Sequence, residues 1–238
     1  MHKSMPPLRK GCFIKRNNRF IVDMVLDKSE KKQAISTCLL SMPQVDVLGT
    51  NILMSERDKT FKIPYIMELA EVDGGHIVCV NMNRALHFLI NEMIKKANFD
   101  FHDLSLEKAL QLPPTITAND LKLDLISKNF QPHLLLIHPI FSSDTSGVSL
   151  FPQEKLTWVF DHLIDAISYR RGGQQASMIF YSLHAGTTTI KMENPSNDYS
   201  KFLNEAIKSG VKIYCAKLKI NEKNEFSIDF SDIFQNQL

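Results

Sequence analysis

The hydrophobic period of the chain changes near residue 80, and this change restricts the fold more than any other feature of the sequence. Before it, short apolar runs alternate with polar turns, and the run from Arg19 to Leu26 has the alternation of a β-strand. After it, apolar residues recur at helical spacing from Leu86 to Ala97, behind Asn81 as the predicted N-cap residue. The sequence therefore predicts two units, residues 1–80 and residues 81–238.

The first unit has the strand spacing of a small β-barrel. Its apolar runs are separated by Pro43, by the polar stretch from Ser55 to Lys62 and by Asp73-Gly74-Gly75. About five short strands within about 80 residues are typical of a sheet that closes on itself. The predicted strands cover residues 19–26, 34–40, 45–54, 63–70 and 76–80.

The second unit alternates between strand and helix patterns. Helical spacing over residues 154–169 ends at Gly172-Gly173, and helical spacing over residues 199–209 ends at Gly210, a residue type favoured just after a helix. Strands and helices that alternate in this way predict an α/β layer. The predicted strands cover residues 121–126, 133–137, 177–183 and 211–218.

Positive charge is concentrated at the N-terminus. The whole chain has 28 basic and 26 acidic residues, a net charge of +2, which is too small for general attraction to nucleic acid or to an anionic membrane. The first 19 residues, however, hold six basic side chains and no acidic one. An anionic partner is therefore expected to bind to the N-terminal half. The six include Lys10, Lys15, Arg16 and Arg19.

The cysteine pattern and the lack of long apolar runs indicate a cytoplasmic protein. Cys12, Cys38, Cys79 and Cys215 are far apart, with no Cys-x-x-Cys pair, so neither a structural zinc site nor a disulfide framework is predicted. No run approaches the roughly 20 apolar residues that a membrane-spanning helix needs. We therefore expect reduced cysteines, a cytoplasmic location and no membrane partner.

Four segments of the chain resemble one known family. They are GCFIKRNNRFIVDMVL at 11–26, PYIMELAEV at 64–72 followed by Val80-Asn81, GVSLFP at 147–152 and YSKFLNEAIKSGVKIYCAKL at 199–218. In their order and spacing they are similar to the sugar fermentation stimulation protein family, SfsA. The resemblance covers nearly the whole chain, which is identified as a divergent member.

The resemblance implies a DNA-binding or other nucleic-acid-binding protein with a mixed α+β or α/β fold. Residues 1–80 would form an OB-like β-barrel and residues 81–238 a restriction-endonuclease-like α/β domain. OB-folds bind strands through a basic groove and stacking aromatic side chains, in agreement with the N-terminal charge. The family name also implies a link to the regulation of sugar metabolism. The expected interface residues are Lys10, Lys15, Arg16 and Arg19.

The nuclease-like domain of this family implies an Asp and a Glu-x-Lys pair with a divalent metal, and this chain keeps only part of that set. Asp124 matches the strand aspartate, so it is the expected catalytic residue and ligand of Mg²⁺ or Mn²⁺. On the next strand, Leu136 takes the place of the carboxylate and His138 that of the lysine. Because leucine cannot coordinate a cation, we expect a degenerate site, although His138 can still act as a base near neutral pH.

Two other functions stay open. A divalent-metal nuclease would need carboxylates besides Asp124, for which Glu107 and Asp144 are candidates. An interaction protein with neither activity would use the α/β layer as a docking or homodimer surface, and the apolar stretch 39–42 favours that function.

Two aromatic residues beside the basic segment are candidates for stacking on bases. They are Phe13 and Phe20. Phe20 also begins the alternating apolar face of the run 19–26, so we predict that Phe20 belongs to the core.

Overall fold

The structure is a computed structural model that describes residues 5–26, 30–38, 40, 42–58, 60–95, 121–126, 131–151, 157–192 and 198–232. Within these ranges the chain has a mixed α+β fold with thirteen strands and three helices. The strands form a six-stranded, a five-stranded and a two-stranded sheet. No helix in this part of the chain is long and apolar enough to cross a membrane.

The first sheet contains six strands, and five of them pair in a circuit. The strands are β1 (Leu8–Arg16), β2 (Ile21–Leu26), β3 (Glu30–Ile35), β4 (Asn51–Glu56), β5 (Tyr65–Val72) and β6 (His76–Cys79). Neighbours in the order β3-β2-β1-β4-β5-β6 are antiparallel. A parallel pairing of Ala34 with Tyr65 and of Ile35 with Ile66 then joins β3 to β5. Pairing therefore runs β1-β2-β3-β5-β4 and returns to β1.

The basic N-terminal segment is itself a strand, β1, which the sequence analysis did not predict. Gly11 and Phe13 are buried, whereas Cys12 and Lys15 are exposed. A Cβ at Gly11 would lie 2.9 Å from Cε of Met54, so glycine lets β1 pack closely against its neighbour. The sequence does not show an alternating strand pattern here, because the buried position 11 is a glycine and not a large apolar residue, and the exposed position 12 is a cysteine and not a polar residue.

The prediction that Phe20 belongs to the core was wrong. Phe20 is 44% exposed, whereas Phe13 is 3% exposed and lies in the core. Phe20 has the parity of the buried residues Val22 and Met24, but β2 begins only at Ile21. Because Phe20 lies in the turn before the strand, the pleat does not hold its side chain on the inner face.

The second sheet is built around three parallel strands with an antiparallel strand at each edge. Its strands are β7 (Lys122–Ile126), β8 (Pro132–Ile140), β10 (Gln175–Ser182), β12 (Lys212–Ile220) and β13 (Phe226–Asp232), in the order β13-β12-β10-β8-β7. A separate parallel pair consists of β9 (Val148–Phe151) and β11 (Thr189–Met192). The sequence pattern predicts β7, β8, β10 and β12 within a few residues but does not predict β9, β11 and β13.

The three helices lie where the sequence predicts them. They are α1 (Met82–Lys95), α2 (Thr157–Arg171) and α3 (Asp198–Lys208). Asn81 is the N-cap residue of α1, because its Oδ1 accepts a hydrogen bond from the backbone N–H of Arg84 at 3.1 Å. The predicted cap is thereby confirmed.

The buried apolar side chains of the described residues form two clusters, and the larger one joins the two main sheets. It runs from the first sheet through α1, with Leu86 and Leu89, to Leu135 and Ile179 of the second sheet. The smaller cluster lies between the second sheet and the helices α2 and α3. The division into domains near residue 80 stays a prediction, since packed side chains continue across it.

Candidate nucleic-acid interface

Two of the predicted interface residues, Lys15 and Arg19, present their charges to solvent. Lys15 lies near the end of β1 and Arg19 in the turn to β2. Asn18 fixes this turn, because its Oδ1 accepts hydrogen bonds from the backbone N–H groups of Phe20 at 2.8 Å and Ile21 at 2.9 Å. Neither Lys15 nor Arg19 forms an ion pair with another described residue. Both charges are therefore available to an anionic ligand.

The other two predicted residues, Arg16 and Lys10, have acidic partners. Arg16 binds Asp46 with both arms of its guanidinium, Nε to Oδ2 at 2.9 Å and Nη2 to Oδ1 at 2.7 Å. Such a bidentate pair fixes the side chain, so a phosphate would have to displace Asp46. Lys10 lies 3.4 Å from Oε2 of Glu71 in an exposed pair, which contributes little stability.

The turn between β4 and β5 carries a cation and an aromatic ring that the sequence analysis did not single out. The guanidinium carbon of Arg57 lies 3.6 Å from the ring centroid of Phe61, a cation–π contact. Phe61 is 49% exposed. The turn is closed by a hydrogen bond from the N–H of Arg57 to the carbonyl of Pro64 at 2.7 Å.

A cavity of about 770 Å³ lies between these two turns. Phe20 and Ile35 line it from the side of β2 and β3, and Arg57 lines it from the β4–β5 turn. Phe88 of α1 and Phe226 of β13 complete the wall. The cavity therefore needs residues that are up to about 200 positions apart in the sequence.

A buried carboxylate next to the cavity fixes the start of α1. Glu68 accepts hydrogen bonds from Oγ of Ser55 at 2.6 Å, Nδ2 of Asn81 at 2.8 Å and Nε and Nη2 of Arg84 at 2.7 and 2.9 Å. The hydrogen bond to Glu68 raises the pKa of Arg84. Glu68 and Asn81, both within the segments that carry the family resemblance, thus have a structural role.

Asp124, the predicted catalytic aspartate, lies exposed on the edge strand β7. Its Oδ1 accepts a hydrogen bond from the hydroxyl of Tyr169 on α2 at 2.5 Å, which raises the pKa of Tyr169 to about 12. On the same strand, Lys122 forms an ion pair with Asp165 of α2 at 2.9 Å. These contacts attach the edge strand to the helix.

His138, the second predicted catalytic residue, is completely buried. Its Nε2 lies 3.1 Å from Nδ1 of His162, and its Nδ1 has no hydrogen-bond partner within the part of the chain that the structure describes. The rings of Phe151, Trp158 and Phe180 surround it at centroid distances of 5.2 to 5.6 Å. Burial, together with the nearby His162, lowers the pKa of His138 well below its ordinary value. The imidazole is neutral and shielded from solvent.

The structure does not bring Asp124 and His138 together. Asp124 pairs with Leu134, four residues before His138 on β8, and four residues span about 13 Å along a strand. The intervening position on the same face is Leu136, which is fully buried. A reacting group at Asp124 would therefore be out of reach of the His138 imidazole.

The described residues do not fit a hard divalent cation. They contain no cluster of three or more His, Cys, Asp or Glu side chains that could hold a metal ion. The Oδ1 of Asp144 accepts hydrogen bonds from the N–H and Oγ of Ser146 and from the N–H of Val148, so this candidate carboxylate holds a turn. The other candidate, Glu107, lies outside the described residues.

Comparison with known proteins gives relatives over almost the whole chain, although no family model matches. The sugar fermentation stimulation protein homolog of Pasteurella multocida strain Pm70 is 27% identical over 237 residues, 96% of this chain and 92% of the relative. The homologs of Aeromonas hydrophila and Aliivibrio salmonicida are 25% and 26% identical over 232 residues, covering 94% and 93% of this chain and 93% and 97% of theirs.

A solved structure has the same fold. The structure of Pyrococcus furiosus SfsA in complex with Ca²⁺ superposes with a TM-score of 0.74 at 16% identity and covers 95% of both chains. The resemblance predicted from the sequence is thereby confirmed, and over almost its whole length the chain is similar to sugar fermentation stimulation protein homologs at about 25% identity.

Proposed function

We propose that this chain is a DNA-binding or RNA-binding protein of the SfsA type, in which the first sheet is an OB-like barrel that carries the binding surface. The observation that carries the proposal is the position of two cations without an ion pair among the described residues, Lys15 near the end of β1 and Arg19 in the β1–β2 turn, on a closed circuit of five strands. We propose that this barrel covers residues 1–80 and that a nuclease-like unit covers residues 81–238.

Strand order supports the comparison with OB-folds. An OB-fold is a five-stranded Greek-key barrel that binds oligonucleotides on the face of its second and third strands and with the loops 1–2 and 4–5. Here the circuit is β1-β2-β3-β5-β4, the β1–β2 turn carries Arg19 and the β4–β5 turn carries Arg57. Charge and exposed aromatic rings thus occur on the two loops that such barrels use.

The expected binding is dominated by phosphate contacts. Lysine and arginine that neutralise phosphates release condensed counterions, so affinity falls steeply as salt increases. Because Arg16 is held by Asp46, we assign the main contacts to Lys15 and Arg19, with Lys10 as a weaker contributor. The net charge of +2 favours this local surface over general attraction of the whole molecule.

The second unit is proposed to lack nuclease activity. The Pyrococcus furiosus protein was solved in complex with Ca²⁺. In this chain, Leu136 cannot provide a ligand beside Asp124, and His138 is buried away from solvent. We therefore expect this protein to bind nucleic acid without cleaving it. A role in the regulation of sugar use, which the family name implies, would then depend on binding and not on catalysis.

The proposal is tested by the salt dependence of DNA binding. We expect the variant Lys15→Ala/Arg19→Ala to bind a labelled oligonucleotide more weakly and to reduce the slope of log affinity against log salt by about 1 to 2. Fluorescence anisotropy at four salt concentrations measures both quantities, and gel analysis of the recovered oligonucleotide in Mn²⁺ is expected to show no cuts.

A matched control removes the same charge elsewhere. Lys201 of α3 and Lys223 of the β12–β13 turn are also exposed, so Lys201→Ala/Lys223→Ala should keep the slope of the unmodified protein. Equal slopes for the two double variants would contradict the assignment to the β1–β2 turn. Cleavage that is lost in Asp124→Asn would establish a nuclease instead.

A further inference from the structure

We propose that the 770 Å³ cavity between the first sheet, α1 and β13 receives one unstacked nucleobase together with its phosphate. If the base belongs to a nucleic-acid strand, this inference rests on the proposed function and specifies single-stranded nucleic acid as the ligand. The same chemistry is offered by a free mononucleotide, and the experiment below separates these two sources.

The size and lining of the cavity suit a flat, partly apolar ligand. Small-molecule sites usually occupy about 300 to 1,000 Å³, with mostly apolar walls and a few polar groups. Phe20, Ile35, Ile63 and Phe88 give this cavity its apolar walls. The cavity therefore has room for a base and its sugar, with aromatic rings on which the base can stack.

Hydrogen-bonding groups lie among these apolar walls. Thr37, Asn83 and His87 line the cavity with a hydroxyl, an amide and an imidazole. Side chains of these types can hydrogen-bond to the edge of an unpaired base. Polar groups among apolar walls suit the edge of a base better than a purely aliphatic ligand such as a lipid tail.

Basic side chains in the lining, and next to lining residues in the chain, suit a phosphate. Arg57 lines the cavity, and the exposed residues Arg19 and Lys62 directly neighbour the lining residues Phe20 and Ile63 in the chain. No Asp or Glu is among the lining residues. Planar guanidinium groups bind phosphate oxygens with both arms, so a nucleotide would place its base inside and its phosphate at the mouth.

This geometry predicts a preference for single strands. Bases in a duplex are stacked and paired, and extruding one has a free-energy cost, whereas an unpaired base enters without that cost. We expect a single-stranded oligonucleotide to bind at least about tenfold more tightly than the duplex of the same sequence.

The test is Phe20→Ala, with Leu150→Ala as control. Phe20 is 44% exposed and Leu150 on β9 is 41% exposed, so neither truncation should prevent folding, which circular dichroism verifies. Loss of base–aromatic stacking is expected to weaken single-strand binding by about 5- to 150-fold in Phe20→Ala and not in Leu150→Ala. Anisotropy measures strands and duplex, and calorimetry measures thymidine and adenosine monophosphates.

The possible results separate this inference from the proposed function. Unchanged single-strand affinity in Phe20→Ala overturns the base site, even if Lys15→Ala/Arg19→Ala still weakens binding. Mononucleotide binding that depends on Phe20, without binding of any strand at low salt, supports the site with a free nucleotide as its ligand and overturns the proposed function. Binding of neither strand nor mononucleotide overturns both.

Discussion

Removing Arg84 should destabilise the protein strongly, because it would leave a buried carboxylate without its cation. The Glu68 side chain is 1% exposed and that of Arg84 is 34% exposed, with 2.7 Å between Nε and Oε2. The variant Arg84→Met keeps most of the length of the side chain and removes only the charge and its hydrogen bonds. The perturbation therefore isolates the ion pair from the packing of the stem.

The expected loss follows from the burial of the remaining partner. Removing one member of a buried ion pair costs about 3 to 5 kcal/mol, because the other charge stays buried without compensation. In Arg84→Met, Ser55 and Asn81 still donate hydrogen bonds to Glu68. We therefore expect the lower end, about 3 kcal/mol of unfolding free energy.

Urea unfolding followed by circular dichroism measures this loss, and Arg171→Met is the matched control. Arg171 pairs with Glu205 at 2.6 Å, but these side chains are 69% and 48% exposed. Exposed pairs contribute about 0 to 1 kcal/mol, so the two variants should differ by at least about 2 kcal/mol. Equal losses would refute the reasoning that burial of Glu68 makes the pair important.

Three further predictions concern acid stability, thiol reactivity and a turn. Burial lowers the pKa of both His133 and His184 to about 4. Their contribution to stability is therefore complete above the unfolded pKa of about 6.5 and is lost as pH falls towards 4, by up to about 3 kcal/mol each. Thermal melts between pH 7 and 4 should show a smaller loss of stability in His133→Gln, and an unchanged loss would exclude His133 as a cause. Cys12 is exposed, whereas burial raises the pKa of the other three thiols, so a thiol reagent should modify one cysteine quickly in the native protein and none in Cys12→Ser. Gly147 has a φ of +80°, and a Cβ there would lie 2.9 Å from the carbonyl oxygen of Gly186. Gly147→Ala should therefore lower the free energy of unfolding in urea by at least about 1 kcal/mol, and a neutral effect would contradict the turn geometry.

Much of the fold could be predicted where one face of an element is apolar. The helix α1 and strand β2 have clear periods, and Asn81 marks the start of α1 as its N-cap residue. Strand β1 was missed because Gly11 and Cys12 interrupt its pattern. Strand β13 was missed because its buried residues, Phe226 and Ile228, follow a polar turn and belong to an edge strand.

The candidate site could be predicted only in part. A concentration of charge is visible in a short stretch of sequence, whereas the walls of a cavity come from residues far apart in the chain. Lys15 and Arg19 were identified from the concentration of positive charge together with the family resemblance of residues 11–26. The cation–π pair of Arg57 and Phe61 had only a charged turn as its signal, and the cavity needs Phe226 from the last strand. Nothing in a local pattern shows that these side chains meet.

The apolar cluster that passes through α1 ties the proposed ligand affinity of the first sheet to the packing of the second. A fragment that ends at residue 80 would uncover the sites where Leu86 and Leu89 pack, so the proposed binding surface cannot be separated as an independent module without a new apolar patch. Substitutions deep in the second sheet, such as at Ile179, would then weaken ligand binding by reducing the native population without touching the interface.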